Sequence, residues 1–507
     1  NHNGGSGVYL FSNGQLNLVA STIALRGNLV RCEFCFASGS SSNGGGGLYI
    51  FASEVQLAVL LVDVEGVNNT VSALSSTGKY NNNGGSGVYL FANALLNLTA
   101  SRVVLRDNTV MSAENVATTG NNNGGAGLFN LATGSMVAVL NDVEATNNKI
   151  FAQRNTAIQD NNNGGGGLYL FSDQNLTLTA RSLTLRNNAV NCDYSSASSN
   201  ANGGSGMYNV ARALLVAMLD VVEATGNVAS SPYAQASAEN NNGGSGVYLF
   251  SNGELHLTAA SIVLRNNNVS SDSCVSGQGR NSNGGAGLYG LALSGPIITS
   301  LDKVEASNNS VSARYDFAAA NSNNNGGSGG YLFSNNSLVL QVTDSQFSFN
   351  NFEGHQASCA HKNVNGGAGL YSFTNLEVSA VLRNVIGVGN RVNVRFNDAD
   401  VSNQNGGAAL YFEARASITI NCSSVVLRSN AVDSTNSSAR QQNSNGGAGV
   451  YIKSDSLLTL YLSASNFSLN TVVSDSTSAP SHVSGGVGLY AVASSNVVMN
   501  IDSTSFK

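Results

Sequence analysis

The chain has 507 residues, of which only 10% are charged, and 23 Lys and Arg stand against 29 Asp and Glu for a net charge of −6. So thin and acidic a charge excludes the basic patches of nucleic-acid binding. No apolar run reaches the ~18 residues of a membrane-spanning helix.

A Gly-Gly pair recurs thirteen times, from Gly4, Gly44 and Gly84 to Gly446 and Gly485, at intervals of 39 to 42 residues. A fixed period of this length predicts a solenoid whose repeats bury their apolar faces against one another. The residue before each pair is Asn in twelve repeats. Five residues after the first Gly stands an aromatic column: Tyr9, Tyr49, Tyr89, Phe129, Tyr169, Tyr208, Tyr248, Tyr289, Tyr331, Tyr371, Tyr411, Tyr451 and Tyr490. The residue before it is usually aliphatic, as at Val8, Leu48 and Val88.

Next in each repeat come alternating β-rich segments such as Leu176-Thr177-Leu178-Thr179, which read as strands. Twenty-four residues after the first Gly, an Asn column is read: Asn28, Asn68, Asn108, Asn148, Asn188, Asn227, Asn267, Asn308, Asn350, Asn390, Asn430 and Asn470. Stacked Asn side chains can pass hydrogen bonds from coil to coil, and Asn tolerates a left-handed corner. About thirteen variable residues rich in Ser, Asn and Ala then lead to the next pair.

The expectation is therefore all-β: a single parallel β-helix over residues 1–507, with about 13 coils of ~40 residues, two or three strands and one long loop each. Positions four and five face opposite sides of a strand. Either the Tyr column lies inside or under a loop, or it faces out as an aromatic stripe for carbohydrate or another rod.

A longer period overlies the first. Arg26, Arg106, Arg186 and Arg265 alternate with Glu65, Glu144, Glu223 and Glu305. Alternation replaces like-charge repulsion with a ladder of ion pairs. It fails after repeat eight, which divides 1–320 from the divergent coils 321–507.

Segments such as Leu185 to Val190 (LRNNAV) and Gly284 to Tyr289 (GGAGLY) carry a resemblance. They resemble the Gly-Gly-Ala-Ile and Phe-x-x-Asn repeats of polymorphic outer-membrane proteins and related adhesin-like passengers. Here Gly-Gly is followed by a small residue and Gly, and no Phe opens the Asn motif consistently. The resemblance implies a right-handed β-helix at the cell surface, serving adhesion or coat building without catalysis.

Nine Asn-x-Ser/Thr sequons occur. Asn97, Asn175, Asn268, Asn335, Asn421, Asn436 and Asn466 are glycosylation candidates, and Asn68 and Asn308 are read as buried in the Asn column. Cys32 and Cys35 are expected to form a local disulfide, and Cys192 and Cys274 to bridge two loops. Cys422 sits among core-like residues and reads as a buried thiol.

An enzymatic β-helix needs clustered carboxylates or a metal. The one local candidate is His355, Cys359, His361 and Lys362. Asp142 with Glu144, and Asp63 with Glu65, could offer oxygen ligands to Ca²⁺, although the ion-pair ladder accounts for the Glu. No cofactor is expected, and the chain is read as non-enzymatic. The expected partners are further copies of itself or other coat proteins, covalent glycans and a carbohydrate ligand, with no membrane insertion. An extracellular, glycosylated rod stacking end to end into a filament is the functional expectation. A polysaccharide-binding or polysaccharide-cleaving β-helix is the alternative.

Overall fold

The computed structural model describes residues 2–36, 41–53, 56–277, 281–318, 323–360, 362–475 and 479–507. They form two compact units, 1–251 and 252–507. Each is a parallel β-solenoid, with about twelve turns of ~40 residues between them and no helix among the described residues.

One turn of the first unit shows the plan. Sheet A takes Thr77–Gly84, sheet B Val88–Ala92, sheet C Leu95–Arg106 and sheet D Thr109–Ala113. The next turn repeats all four in parallel register, with Asn83 beside Asn123, Tyr89 beside Phe129, Leu96 beside Met136 and Val110 beside Ile150. This turn thus has four strands rather than two or three, and in the second unit sheets C and A each split into two, as at Leu338–Thr343 and Gln346–Ser348 of sheet C. The variable Ser- and Asn-rich stretch, expected as a loop, is largely the strands of sheets D and A. Its alternation survives in small residues: Val110, Ser112 and Ala117 all point inward and are buried.

Sheet C shows how the sequence sets which side chains are buried. Leu96, Leu98 and Ala100 are buried on alternate positions, and then Val103 and Leu105 are buried. The phase changes because Arg102 adopts φ 52°, and one left-handed residue turns the following side chains to the other face. Thr22, Asp63, Asp142 and Ser182 repeat the kink on successive turns. Each buried Leu contributes about 1.5–3 kcal/mol.

The Gly pair decides the rest of the cross-section. It sits deep in the turn, where a Cβ on Gly44 would fall 2.2 Å from Tyr89 Cδ2 and 2.4 Å from Gly84 O. There the chain reverses, so sheets A and B run in and out of the molecule as two walls of a cleft. Sheet B is consequently buried on both faces. Its aliphatic side packs on sheet C, as where Leu255 closes on Gly290. Its Tyr side packs on sheet A. Asn83 of sheet A reaches the other way, toward Ser112 of sheet D.

Tyr49 through Tyr248 in the first unit, and Tyr289 through Tyr451 in the second, are fully or almost fully buried. In each unit the rings stack with centroids 4.6–5.1 Å apart, nearly parallel to their neighbours. Tyr9 is the exception at 44% exposure. The column is covered by a strand, not by a loop and not by solvent.

The Asn ladder needs a correction. It runs Asn28, Asn69, Asn108, Asn148, Asn188 and Asn227 in the first unit. In the second it runs Asn267, Asn309, Asn350, Asn390, Asn430 and Asn470. Asn68 and Asn308 are not members: they are exposed, at φ 53°. The cause is one extra residue before sheet C in those repeats. Leu16 pairs with Leu57 and Leu255 with Ile297, which shifts every later position by one. The left-handed corner belongs to the residue preceding each ladder Asn, such as Asn147 or Asn187.

Candidate functional site

Three features of the surface and interior bear on function: the cleft between sheets A and B, the acidic and thiol side chains buried inside, and the outward Asn residues.

At the mouth of the first unit's cleft lies a hollow of about 120 Å³. Phe91, Leu131 and Phe171 form one wall, and Asn82, Asn122 and Asn162 the other. Those Asn amides bond to one another from turn to turn at 2.8 and 3.0 Å. Tyr169 and Tyr208 each donate a hydroxyl to this row at 3.4 Å. Arg212 spans the mouth, 3.6 Å from Asp160 and 3.3 Å from Asp173, with its guanidinium 5.7 Å from the Phe171 ring centre. Burial raises both carboxyls above the usual Asp value, and Arg212 opposes that.

The second unit fills the same column differently. Phe373 is followed on the next turns by Glu413 and Lys453. Glu413 is 3% exposed and accepts the Tyr411 hydroxyl at 2.5 Å. With its amide turned so that the nitrogen faces the carboxylate, Gln404 donates to it at 3.1 Å and accepts from Lys453 Nζ. Burial lowers the Lys453 amine from its ordinary value. Sequence reading missed all these groups. The one available signal was the break in an otherwise apolar column seven residues after the first Gly.

Buried Asp316 occupies the place that Asn115 and Asn155 hold in the first unit. It accepts from Asn283 Nδ2 at 2.7 Å and from the Cys274 amide at 3.3 Å. Burial, the largest effect, pushes its carboxyl well above the Asp range. A carboxyl raised on folding gives its full stability below the unfolded value, near 3.8, and loses it as pH rises through the folded value. Asp316→Asn should therefore stabilise the protein by about 1 kcal/mol at neutral pH, with the gain vanishing in acid. Thermal melts across pH decide this, and an equal shift at every pH would refute it.

The cysteines divide. Cys32 and Cys35 form a disulfide, their Cα atoms 6.0 Å apart. The Cys192–Cys274 bridge is not present. Cys192 points inward from sheet D beside Ala152, and Cys274 is buried in the connection between sheets D and A, where it accepts from Ser271 Oγ at 2.9 Å. Burial raises the Cys192 thiol, and pushes that of Cys422 up to about 12.

The charge alternation becomes discrete pairs rather than a continuous ladder. Arg26 pairs with Glu65, Arg106 with Glu144 at 2.9 Å, Arg186 with Glu223 at 2.7 Å and Arg265 with Glu305 at 2.5 Å. Asp63 is held by Arg102 at 2.6 Å. The carboxylates considered for Ca²⁺ at Asp63, Glu65 and Glu144 thus already face guanidinium groups. Among the described residues no group of three or more His, Cys, Asp or Glu side chains is placed to hold a metal. The His355 cluster disperses: His355 lies on the outer face of sheet D, Cys359 is buried in sheet A, and Lys362 stands beside Lys453. His361 lies outside the described residues.

The sequon Asn residues all reach the surface. Asn68, Asn175, Asn308, Asn421, Asn436 and Asn466 are exposed, and Asn97, Asn268 and Asn335 are partly exposed. None of the buried Asn side chains, about forty among the described residues, lies in a sequon. No helix among the described residues is long and apolar enough to cross a membrane. No family model, curated protein or solved structure matches the chain.

Proposed function

We propose that this chain is a structural β-solenoid of the extracellular surface, N-glycosylated on its outer faces and assembled into a fibrous coat. The sorting of sequons carries the reading. In an Asn-rich chain, chance would place most sequons on buried Asn. Here every one of the nine has its side chain at the surface. Part of the sorting follows from strand alternation, since the ladder Asn is followed two residues later by Val in Asn69, Asn108 and Asn309. The outward Asn68 and Asn308 carry Thr70 and Ser310 there instead.

Stacked backbones, amide ladders and ring columns supply the stiffness a coat element needs. Glycopeptide mapping of the native protein tests the reading. Enzymatic release of N-glycans in ¹⁸O-water should label Asn175, Asn421, Asn436 and Asn466 at high occupancy. Electron microscopy of the same material should show fibres. Unmodified Asn at all nine positions, with no assembly, would overturn it.

A saccharide-binding solenoid is the second reading. It is favoured by the Asp160–Arg212–Asp173 bridge over an aromatic wall, a combination that suits sugar hydroxyls and ring faces.

A further inference from the structure

On sheet D of the second unit, Arg314, His355 and Arg395 stand in one column on consecutive turns, in direct register. Successive rungs of such a column lie about 4.8 Å apart. The two Arg stand two rungs apart with the imidazole of His355 between them, and Asp272 precedes Arg314 in the same column. Arg106 and Arg186 of the first unit each face a Glu on the next turn. Arg314 is 3.9 Å from Glu353, at the outer limit of an ion pair. Arg395 donates Nε to Asn393 Oδ1 at 3.2 Å and makes no ion pair among the described residues.

These groups line an open cleft of about 350 Å³ with Tyr315, Glu353, Gly354 and Asn393. His355 lies between two aromatic rings, 6.0 Å from Tyr315 and 5.5 Å from Phe396, tilted to both. Its Nδ1 is buried and has no hydrogen-bond partner. Tyr315 and Phe396 are themselves about half exposed, at 51% and 48%. Both sit at left-handed corners, φ 52° and 54°, which turn them outward. Two Arg side chains and an imidazole, flanked by exposed rings, thus line one cleft on a protein of net charge −6.

We propose that this cleft binds an acidic oligosaccharide, whose anionic groups lie between Arg314 and Arg395 and whose ring faces rest on Tyr315 and Phe396. The anion would make charge-assisted bonds to Arg395, which has no ion pair among the described residues, and to Arg314, whose carboxylate partner Glu353 lies 3.9 Å away. Exposed rings add contact with the apolar faces of pyranose units. The chain's net negative charge sets a nucleic acid behind a saccharide, since no wider basic surface would track a phosphate backbone.

Fluorescence anisotropy with labelled oligosaccharides tests this on the full chain. The probes are an oligouronate, a sulfated oligosaccharide, a neutral glucan of equal length and a single-stranded oligonucleotide. Binding should appear with the uronate, the sulfated probe or both, and weaken as salt rises. Which of the two binds identifies carboxylate or sulfate as the anionic group.

Arg314→Gln and Arg395→Gln should each weaken binding by roughly tenfold or more, as expected for charge-assisted bonds. Tyr315→Asn, which keeps a residue tolerant of the left-handed corner, should weaken it further. These side chains are exposed, so unchanged melting will show that the variants fold. The proposal fails if neither acidic probe binds, if the Arg variants bind as well as the parent, or if the neutral glucan or oligonucleotide binds as tightly.

Discussion

Asn148→Ala will lower the stability of the first unit by about 3–5 kcal/mol, while Asn147→Gly, one residue earlier, will change it by less than about 0.5 kcal/mol. Asn148 Oδ1 accepts from the backbone and side-chain nitrogens of Asn108, at 3.1 and 2.9 Å. Its Nδ2 donates to Leu105 O at 2.9 Å and to Asn188 Oδ1 at 3.0 Å. All of these groups are buried. Truncation leaves the Asn108 amide without an acceptor and Leu105 O without this donor, and no water reaches the site to replace them. Asn147 faces solvent at φ 55°, a conformation Gly adopts without strain. Melting followed by far-ultraviolet circular dichroism should separate the two variants by on the order of 10 °C. Equal shifts would mean that the ladder contributes no more than the corner beside it.

Four glycine substitutions separate backbone strain from close packing. Gly14→Ala should be neutral within about 0.5 kcal/mol, because nothing lies within 4 Å of the new methyl and φ is ordinary. Gly27→Ala should cost about 1–2 kcal/mol from conformation alone, since its φ is +64° but its surroundings are open. Gly125→Ala should cost more than about 4 kcal/mol. There φ is +53° and the methyl would fall 2.1 Å from Leu128 O. Gly124→Ala should be as damaging without any left-handed requirement: its methyl would fall 2.1 Å from Tyr169 Cδ2 and 2.5 Å from Gly164 O.

The first Gly of the pair is thus fixed by the ring of the next turn, and the second by its own reversal of the chain. Soluble yield and melting temperature across the four variants measure this order. A soluble, parent-like Gly124→Ala would show that the Tyr column can move aside, contrary to its burial.

The sequence made the period, the parallel β class and the columnar stacking legible, because each depends on side-chain type recurring at a fixed interval. Strand alternation is local, so Leu96, Leu98 and Ala100 declare a buried face without reference to the rest of the fold. The repeated Gly pair likewise marked the length of each turn without reference to its neighbours. Counting along the chain failed where a single inserted residue moved the ladder from Asn68 to Asn69, since register is set by pairing between turns.

What only the tertiary structure decided is which face meets what. Sheet A folding onto sheet B buries the Tyr column, and that depends on where the Gly reversal lies within the turn. The variable stretch became strand because backbone pairing to the turns above and below satisfies its amides whatever its side chains are. Distant residues such as Arg212 and Asp160, or Arg314 and Arg395, became neighbours because stacking converts about forty residues of sequence into one rung of about 4.8 Å.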